Sequence, residues 1–428
     1  MFPSQHWQAN RADLRALWTS TIAFTVCFAV WTIFSIIGIR IKQELGLSET
    51  GFGVLVAMPI LTGSLVRLIL GVWTERYGGR LVYTVTMLAA ALATFLLSYA
   101  KTYPEMLIAA LGVGLAGGSF AVGVAYVTPF FPSARQGTAL GIFGAGNIGA
   151  AVTKFLAPFV LSAWGWQAVA ELWAAALIVM AVLFWCLTSD EPGLQERRRG
   201  RLPTKRLLSE LAPLGNAQVW RFALYYFFAF GGFVALALWL PRYLVGAYGF
   251  DLATAGIVAA AYSIPGSIFR IYGGALSDRI GARSVMYLML CASGALTLLL
   301  SLPAAHVSPD AFPVVIGQTP FIFAIFALGF FMSLGKAAVY KHVPTYYPGS
   351  VGAVGGIVGM VGGLGGFVLP IAFGVLKDLT GVWSSCFMLL FVVVAVSLAW
   401  MHFAIRARHR SAAAAPPVNA PAYDLAAR

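Results

Sequence analysis

The chain has 428 residues, of which 60% are hydrophobic and only 10% are charged, and its mean hydropathy is +0.84. A soluble domain does not need so much apolar surface, so the composition indicates a polytopic helical membrane protein. The net charge of +13 would ordinarily suggest a nucleic acid partner, but the basic residues lie mostly between apolar runs, where membrane topology explains them. The four cysteines fall within apolar runs without metal-ligand spacing, and we expect no metal or cofactor.

Twelve apolar runs are each close to the roughly 20 residues that a membrane-crossing helix requires. The predicted spans are 15–39, 51–74, 81–100, 105–130, 137–162, 165–187, 218–246, 251–276, 283–302, 317–343, 350–375 and 382–405. The sequence therefore predicts an all-α integral membrane protein with two pseudo-symmetric six-helix bundles. Its predicted parts are an N-terminal bundle at 1–187, a basic linker at 188–217, a C-terminal bundle at 218–405 and a disordered tail at 406–428.

The distribution of lysine and arginine predicts the orientation. The linker carries six of them, and the predicted loops on its side of the membrane are also basic. By the positive-inside rule that side is cytoplasmic, which places both termini in the cytoplasm. The first span is too long for the core of a signal peptide, so we expect it to be retained in the bacterial inner membrane.

One stretch occurs once in each half, as GSLVR ending at Arg67 and as GSIFR ending at Arg270. Arg67 lies eight residues before Glu75 at the loop, or about 12 Å along a helix. A guanidinium at that depth costs at least about 3 kcal/mol on insertion scales. No carboxylate is predicted at mid-membrane to neutralise either arginine, whereas a sugar or cation porter usually has one there. We infer that the two arginines bind a negatively charged ligand.

Each copy ends in the loop pattern G-x-x-x-[DE]-R-x-G-x-R. Its charged residues, the gating-loop candidates, are Glu75, Arg76, Arg80, Asp278, Arg279 and Arg283. A chain of six plus six spans with this doubled loop resembles the major facilitator superfamily, with Glu75 replacing the usual aspartate. We expect the loop carboxylates and arginines to hold the two halves together in one state of a transport cycle. Plain anchoring by positive charge is the alternative.

Glycine-rich segments also occur in both halves, from Gly112 to Gly149 and from Gly335 to Gly366. The glycines lie within predicted spans, so no nucleotide-binding loop is predicted. They allow helix backbones to approach closely and to slide, and pure packing is the alternative explanation. The FFP and GNxG sequences among them resemble the nitrate/nitrite porter family, the NarK-type branch of the superfamily, and this resemblance covers essentially the whole chain.

In that family one arginine from each half binds the anion, and aromatic side chains close over and under it. The resemblance implies these substrate-binding residues: Arg67, Arg270, Phe120, Tyr226, Phe230 and Asn147. The chemistry fits independently, because a planar guanidinium fork can donate to two oxygens of planar nitrate at once.

Span ten carries the candidates for coupling transport to a second solute. Lys336, Lys341 and His342 lie there, and Gly363 stands where the first half has an asparagine. These departures resemble the proton-coupled nitrate uptake branch of the family. A buried lysine beside two arginines can carry the proton, because burial and like charge both disfavour its charged form. Anchoring near a cytoplasmic helix end is the favoured alternative for Lys341 and His342, and for Lys336 the two roles stay equally open.

The predicted function is transport of nitrate, or of nitrite, by alternating access, with proton symport favoured over nitrate/nitrite exchange. Nitrate/nitrite exchange stays an alternative, because two arginines without an anion repel each other. The two halves should therefore resist closing around an empty site. Charge alone would also suit a dianion such as sulfate. A membrane sensor would need an output domain that neither linker nor tail can form, and no catalytic constellation indicates an enzyme. We expect a monomer whose partners are nitrate, nitrite, protons and the lipid bilayer.

Overall fold

A computed structural model of the protein describes residues 10–194, 196, 215–304, 315–347 and 351–414. Within these residues the chain is almost entirely helical, and its one β-type pairing is an isolated bridge between Ala304 and Ile316. Most of the predicted linker and residues 415–428 of the predicted tail lie outside the described residues.

The helices follow one another with short connections. In the first half they are α1 Arg11–Trp31, α2 Phe34–Leu45, α3 Glu49–Tyr77, α4 Gly79–Leu97, α5 Tyr103–Val113, α6 Leu115–Val127, α7 Ser133–Gly144 and α8 Gly149–Leu187. In the second half they are α9 Ala217–Tyr226, α10 Phe233–Tyr248, α11 Leu252–Ile268, α12 Arg270–Ile280, α13 Ala282–Leu300, α14 Gln318–Tyr346, α15 Val351–Thr380 and α16 Ser385–Ala414. A 3₁₀ turn, Ala145–Ile148, joins α7 to α8, and a π-helical turn, Phe227–Gly232, joins α9 to α10.

Ten segments of the described chain are long and apolar enough to cross a membrane, and the bent pair of α11 and α12 makes eleven. One of the ten, Ala139–Leu187, has 49 residues, which as a straight helix would extend about 74 Å. Gly165 interrupts α8 with a φ of 85°, a conformation that favours glycine. We therefore divide this segment at Gly165, which raises the count from eleven to the predicted twelve spans. The predicted all-α membrane fold is confirmed.

Polar side chains and glycines set the helix ends. Ser48 Oγ accepts a hydrogen bond from Gly51 N at 3.0 Å, and Asp251 Oδ1 accepts one from Thr254 N at 3.0 Å. These caps satisfy amide groups that a helix start otherwise leaves unpaired.

The turns that join α3 to α4 and α12 to α13 lie on one membrane face with the start of α1, which we call the basic face. The other membrane surface is the opposite face.

The two halves meet along two seams. In one seam α3 packs on α15, and a Cβ added at Gly53 would lie 2.4 Å from the Pro370 carbonyl oxygen. In the other seam α8 packs on α11, and a Cβ at Gly256 would lie 2.2 Å from the Lys154 carbonyl oxygen. Only glycine permits backbones to approach this closely, so these positions hold the halves together around a central space.

Candidate anion-binding site

Arg67 projects from α3 into a group of aromatic rings. Its Cζ lies 5.4 Å from the ring centroid of Trp31, 5.7 Å from that of Phe120 and 5.6 Å from that of Phe230. Its Nε donates to the carbonyl oxygen of Gly117 at 3.3 Å. Cation–π contacts hold a guanidinium without neutralising it. No ion pair of the described residues includes Arg67, so these contacts position its charge and leave it uncompensated.

Arg270 is the first residue of α12, directly after the 41° bend between α11 and α12. Its Cζ lies 5.9 Å from the ring centroids of both Phe120 and Tyr340. Phe120 therefore contacts both arginines, one from each half. The buried Nη1 of Arg270 has no hydrogen-bond partner among the described residues. An unpaired buried donor is costly, and an oxygen of a bound anion would satisfy it.

Each arginine also reaches a glycine of the other half. A Cβ added at Gly144 would lie 3.3 Å from Arg270 Nη1, and one added at Gly363 would lie 3.4 Å from Arg67 Nη1. The same Cβ at Gly363 would lie 2.6 Å from the buried Oγ of Ser64, one helical turn before Arg67. The glycine-rich segments thus leave room beside both guanidinium groups. The sequence pointed to these segments without indicating this contact across the halves.

Aromatic rings of the second half complete the enclosure. Tyr226 stacks on Phe230 with centroids 5.1 Å apart and an interplanar angle of 9°. Tyr226 also meets Tyr340 edge-on at 5.0 Å. Phe230 lies within the π-helical turn, a distortion that occurs often at functional sites. The structure thus brings Phe120 and Phe230 to Arg67, and it brings Tyr226 to the same group through Phe230. Trp31 and Tyr340 were not anticipated from the sequence.

Asn147, the predicted polar contact, lies in the 3₁₀ turn three residues after Gly144. It is 1% exposed, and neither Nδ2 nor Oδ1 has a hydrogen-bond partner among the described residues. A buried amide without partners is unfavourable, so this side chain can both donate to and accept from a small polar ligand.

Lys336, the deepest coupling candidate, is fully buried in α14. Its Nζ donates to the Gly266 carbonyl oxygen at 2.5 Å and lies 3.4 Å from the ring centroid of Phe233. Gly266 is one helical turn before Arg270, so Lys336 contacts the backbone of the segment that leads into Arg270. The structure therefore places this lysine beside the arginine group.

The other two coupling candidates have different surroundings. Lys341 forms an ion pair with Asp278 of the second gating loop, and both side chains are about half exposed. The His342 ring stacks on Phe222 at 5.4 Å with an interplanar angle of 7°. Both contacts are near the basic face and support the anchoring alternative.

The described contacts of the gating-loop candidates stay within one half. The Cζ of Arg80 lies 4.2 Å from the ring centroid of Trp185, and Arg80 also donates a hydrogen bond to the Trp185 carbonyl oxygen. The Cζ of Arg76 lies 5.5 Å from the ring centroid of Tyr77. Asp278 pairs with Lys341 of its own half. The exposed Arg279 and Arg283 are at the second loop, and the side chain of Glu75 lies outside the described residues. The expected lock between the halves at this face stays a prediction.

At the opposite face the halves are joined directly. Arg242 of α10 donates from Nε to Glu49 of α3 at 3.2 Å, and Lys42 lies 3.4 Å from the same carboxylate. Asp378 of α15 accepts hydrogen bonds from the backbone amides of Thr50 at 2.7 Å and Glu49 at 3.1 Å. These contacts join α3 of the first half to α10 and α15 of the second half at the opposite face.

A second cross-half contact involves Lys154, whose partner the sequence did not reveal. The fully buried Nζ donates to Ser263 Oγ of α11 and to the Ala150 carbonyl oxygen, each at 3.0 Å. Both partners are neutral, so this lysine links the two halves without an ion pair.

The sequence profile of the Major Facilitator Superfamily matches residues 19–312 and 243–424, and the chain belongs to this superfamily of membrane transporters. The fold is similar to that of a bacterial homologue of the human lysosomal transporter Spinster in an inward-facing, occupied conformation. The TM-score is 0.70 at 16% identity, and the match covers 93% of this chain and 98% of that one.

Within the superfamily the chain belongs to the NarK-type nitrate/nitrite transporter family, as its motifs suggested. A Thermus thermophilus protein named as a probable nitrate/nitrite antiporter, NarK1, is 41% identical over 426 residues, which cover 94% of each chain. A Bacillus subtilis protein named nitrite extrusion protein is 28% identical over 397 residues, 92% of this chain and 95% of that one.

Proposed function

We propose that the protein carries nitrate across the bacterial inner membrane by alternating access, with its basic face in the cytoplasm. One observation carries this proposal. Arg67 and Arg270, contributed by different halves, are both in contact with Phe120, and neither has a carboxylate partner among the described residues. The names of the relatives support the same substrate class.

The surroundings favour a planar monoanion over a dianion. The cost of moving an ion from water into a weakly polar site rises with the square of its charge. Trp31, Phe120 and Phe230 present ring surfaces that cannot replace the hydration of sulfate. Nitrate is weakly hydrated and flat, so two guanidinium forks can hold its oxygens while the rings cover its faces.

The contacts at the opposite face fit one state of this cycle. Glu49, Arg242 and Asp378 tie α3 to α10 and α15, so the central site is shut off from that side. Movement of nitrate to or from that side requires these bonds to break while the halves rock about the seams. Ligand occupancy favours the movement because the anion removes the repulsion between the arginines.

For coupling, we propose proton symport with Lys336 as the proton-carrying group. Its charge is repelled by Arg270, and a bound anion offsets that repulsion, so anion binding and protonation assist each other. Nitrate/nitrite exchange is the second candidate. It is favoured by the name of the Thermus thermophilus relative and by the two arginines, whose repulsion hinders closing without an anion.

Uptake of labelled nitrate into proteoliposomes tests the proposal and separates the two modes. Symport predicts accumulation driven by an inward proton gradient alone, whereas exchange predicts that uptake requires internal nitrite or nitrate. Arg40→Lys provides a matched control, because Arg40 is exposed and pairs with Glu44 at the opposite face. Full activity of that control with no uptake by Arg67→Lys or Arg270→Lys supports the assignment. Normal uptake by either site variant contradicts it.

A further inference from the structure

A second cationic region lies at the basic face of the second half, apart from the central arginines. The ends of four helices, α9, α13, α14 and α16, surround a cleft there, which we call the basic cleft. Its lining includes Arg221, Phe222, Tyr225, Arg283, His342 and Ile405. The transport proposal assigns no role to Arg221, and the gating and coupling roles expected for Arg283 and His342 do not explain why they meet here.

Among the described residues, no carboxylate pairs with the arginines of this cleft. Neither Arg221 nor Arg283 has a described hydrogen bond or ion pair within residues 215–304, 315–347 and 351–414. The acidic residue of the adjoining loop, Asp278, is paired with Lys341 instead. Two guanidinium groups thus line one cleft, and each retains donors for an anion.

The backbone adds to the preference for negative charge. Arg283 is the second residue of α13, a 19-residue helix that begins without a side-chain cap. The free amides and dipole at such a helix start favour an anion nearby. The imidazole of His342 is held in the cleft by its stacking on Phe222.

The walls of the cleft are apolar and amphipathic. Phe222 and Tyr225 of α9 lie on one side, and Met401 and Ile405 of α16 lie on another. Phe222, Tyr225 and Met401 are each 5% exposed or less, so Ile405 of α16, which is partly exposed, is the apolar wall that a ligand could reach. Free phosphate would contact only the cationic groups. A phospholipid would place its phosphate on the arginines and its glycerol and upper acyl chains along Ile405.

We propose that the basic cleft binds the headgroup of an anionic phospholipid, such as phosphatidylglycerol or cardiolipin, from the inner leaflet. Basic clefts between helix ends on the cytoplasmic side suit such headgroups, and the lipid is always present at that depth. This inference rests on the orientation proposed above. A lipid bound in the basic cleft would link α9 to α14. The first of these helices leads into the turn that contains Phe230, and the second carries Tyr340.

Native mass spectrometry of the full-length protein tests this site. The protein is mixed with phosphatidylglycerol, cardiolipin or phosphatidylcholine, and separately with inorganic phosphate. We expect retained adducts with the two anionic lipids and none with phosphatidylcholine. Arg221→Gln combined with Arg283→Gln should weaken anionic lipid binding by about 30-fold, because each surface cation contributes about 1 kcal/mol.

The matched control is Arg76→Gln combined with Arg279→Gln, which removes two exposed arginines from the same face outside the cleft. Lipid retention equal to wild type is expected for this control. Unchanged lipid affinity in the cleft variant, or equal loss in the control, would overturn the site. The lipid assignment would be overturned if inorganic phosphate displaced the lipids completely and the retention of the lipids did not depend on their acyl chains. Nitrate binding to the same samples reports on the central site separately.

Discussion

Gly363 offers the sharpest test of the space beside the arginines. In the Gly363→Ala variant the new Cβ would lie 2.6 Å from Ser64 Oγ and 3.4 Å from Arg67 Nη1. A separation below 3.0 Å requires atoms to move, and Ser64 is fully buried in α3. The methyl group therefore displaces Ser64 and Arg67, or forces α15 away from α3, at the point where the anion should bind.

Overpacking of a close-packed interior by one methyl group costs about 1–3 kcal/mol. If the strain is relieved by moving Arg67 from its binding position, nitrate affinity falls by about 5- to 150-fold. The Gly144→Ala variant should lose less, because its Cβ would lie 3.3 Å from Nη1 of Arg270, the far end of a flexible side chain.

Equilibrium binding of labelled nitrate to purified protein measures the loss. Gly356→Ala in the same helix is the control, since its Cβ would have no neighbour within 4 Å among the described residues. We expect wild-type affinity from it, with folding stability unchanged or raised by about 0.4–1 kcal/mol. A double variant, Gly363→Ala with Ser64→Ala, removes the hydroxyl that causes the closest contact and should recover much of the affinity.

Two results would contradict a role for the space beside Arg67 in anion binding. Wild-type nitrate affinity in Gly363→Ala would mean that the space beside Arg67 is not used by the anion. Equal losses in Gly363→Ala and Gly356→Ala would mean that α15 tolerates no side chain at its glycines, whatever their distance from the site.

Two further predictions concern coupling and the closed opposite face. The Lys336→Ala variant should still bind nitrate, but a pH gradient should no longer accelerate its uptake into proteoliposomes. Undiminished proton-driven uptake by this variant would contradict the coupling role and favour anchoring. Arg242→Gln removes a charged hydrogen bond worth about 1.5 kcal/mol or more and should increase the population open at the opposite face by about tenfold. Spin labels at Gln43 and Leu379 would report this as a longer distance, and an unchanged distance distribution would contradict it.

The sequence predicted the spans and the two arginines for physical reasons. A membrane-crossing helix needs a long apolar run, and a buried guanidinium stands out against such a run. The duplication then showed that Arg67 and Arg270 occupy matching places. Phe120 and Phe230 were found because short motifs of the family include them.

The contacts across the halves could not be predicted in this way. Trp31 and Tyr340 are aromatic residues in apolar spans, where most such residues simply pack. Lys154 meets Ser263 only because α8 and α11 cross closely at Gly256. Which helix faces meet at a seam depends on packing of the whole chain, and periodicity within one span does not specify it.

In the proposed site two guanidinium groups, one from each half, are completed by a small oxyanion. Equilibrium binding of labelled nitrate to purified wild-type, Arg67→Lys and Arg270→Lys proteins tests this arrangement most directly, because lysine keeps the charge and removes the planar fork. We expect saturable binding to the wild-type protein and its loss in both variants. Unchanged nitrate binding in either variant would contradict this arrangement.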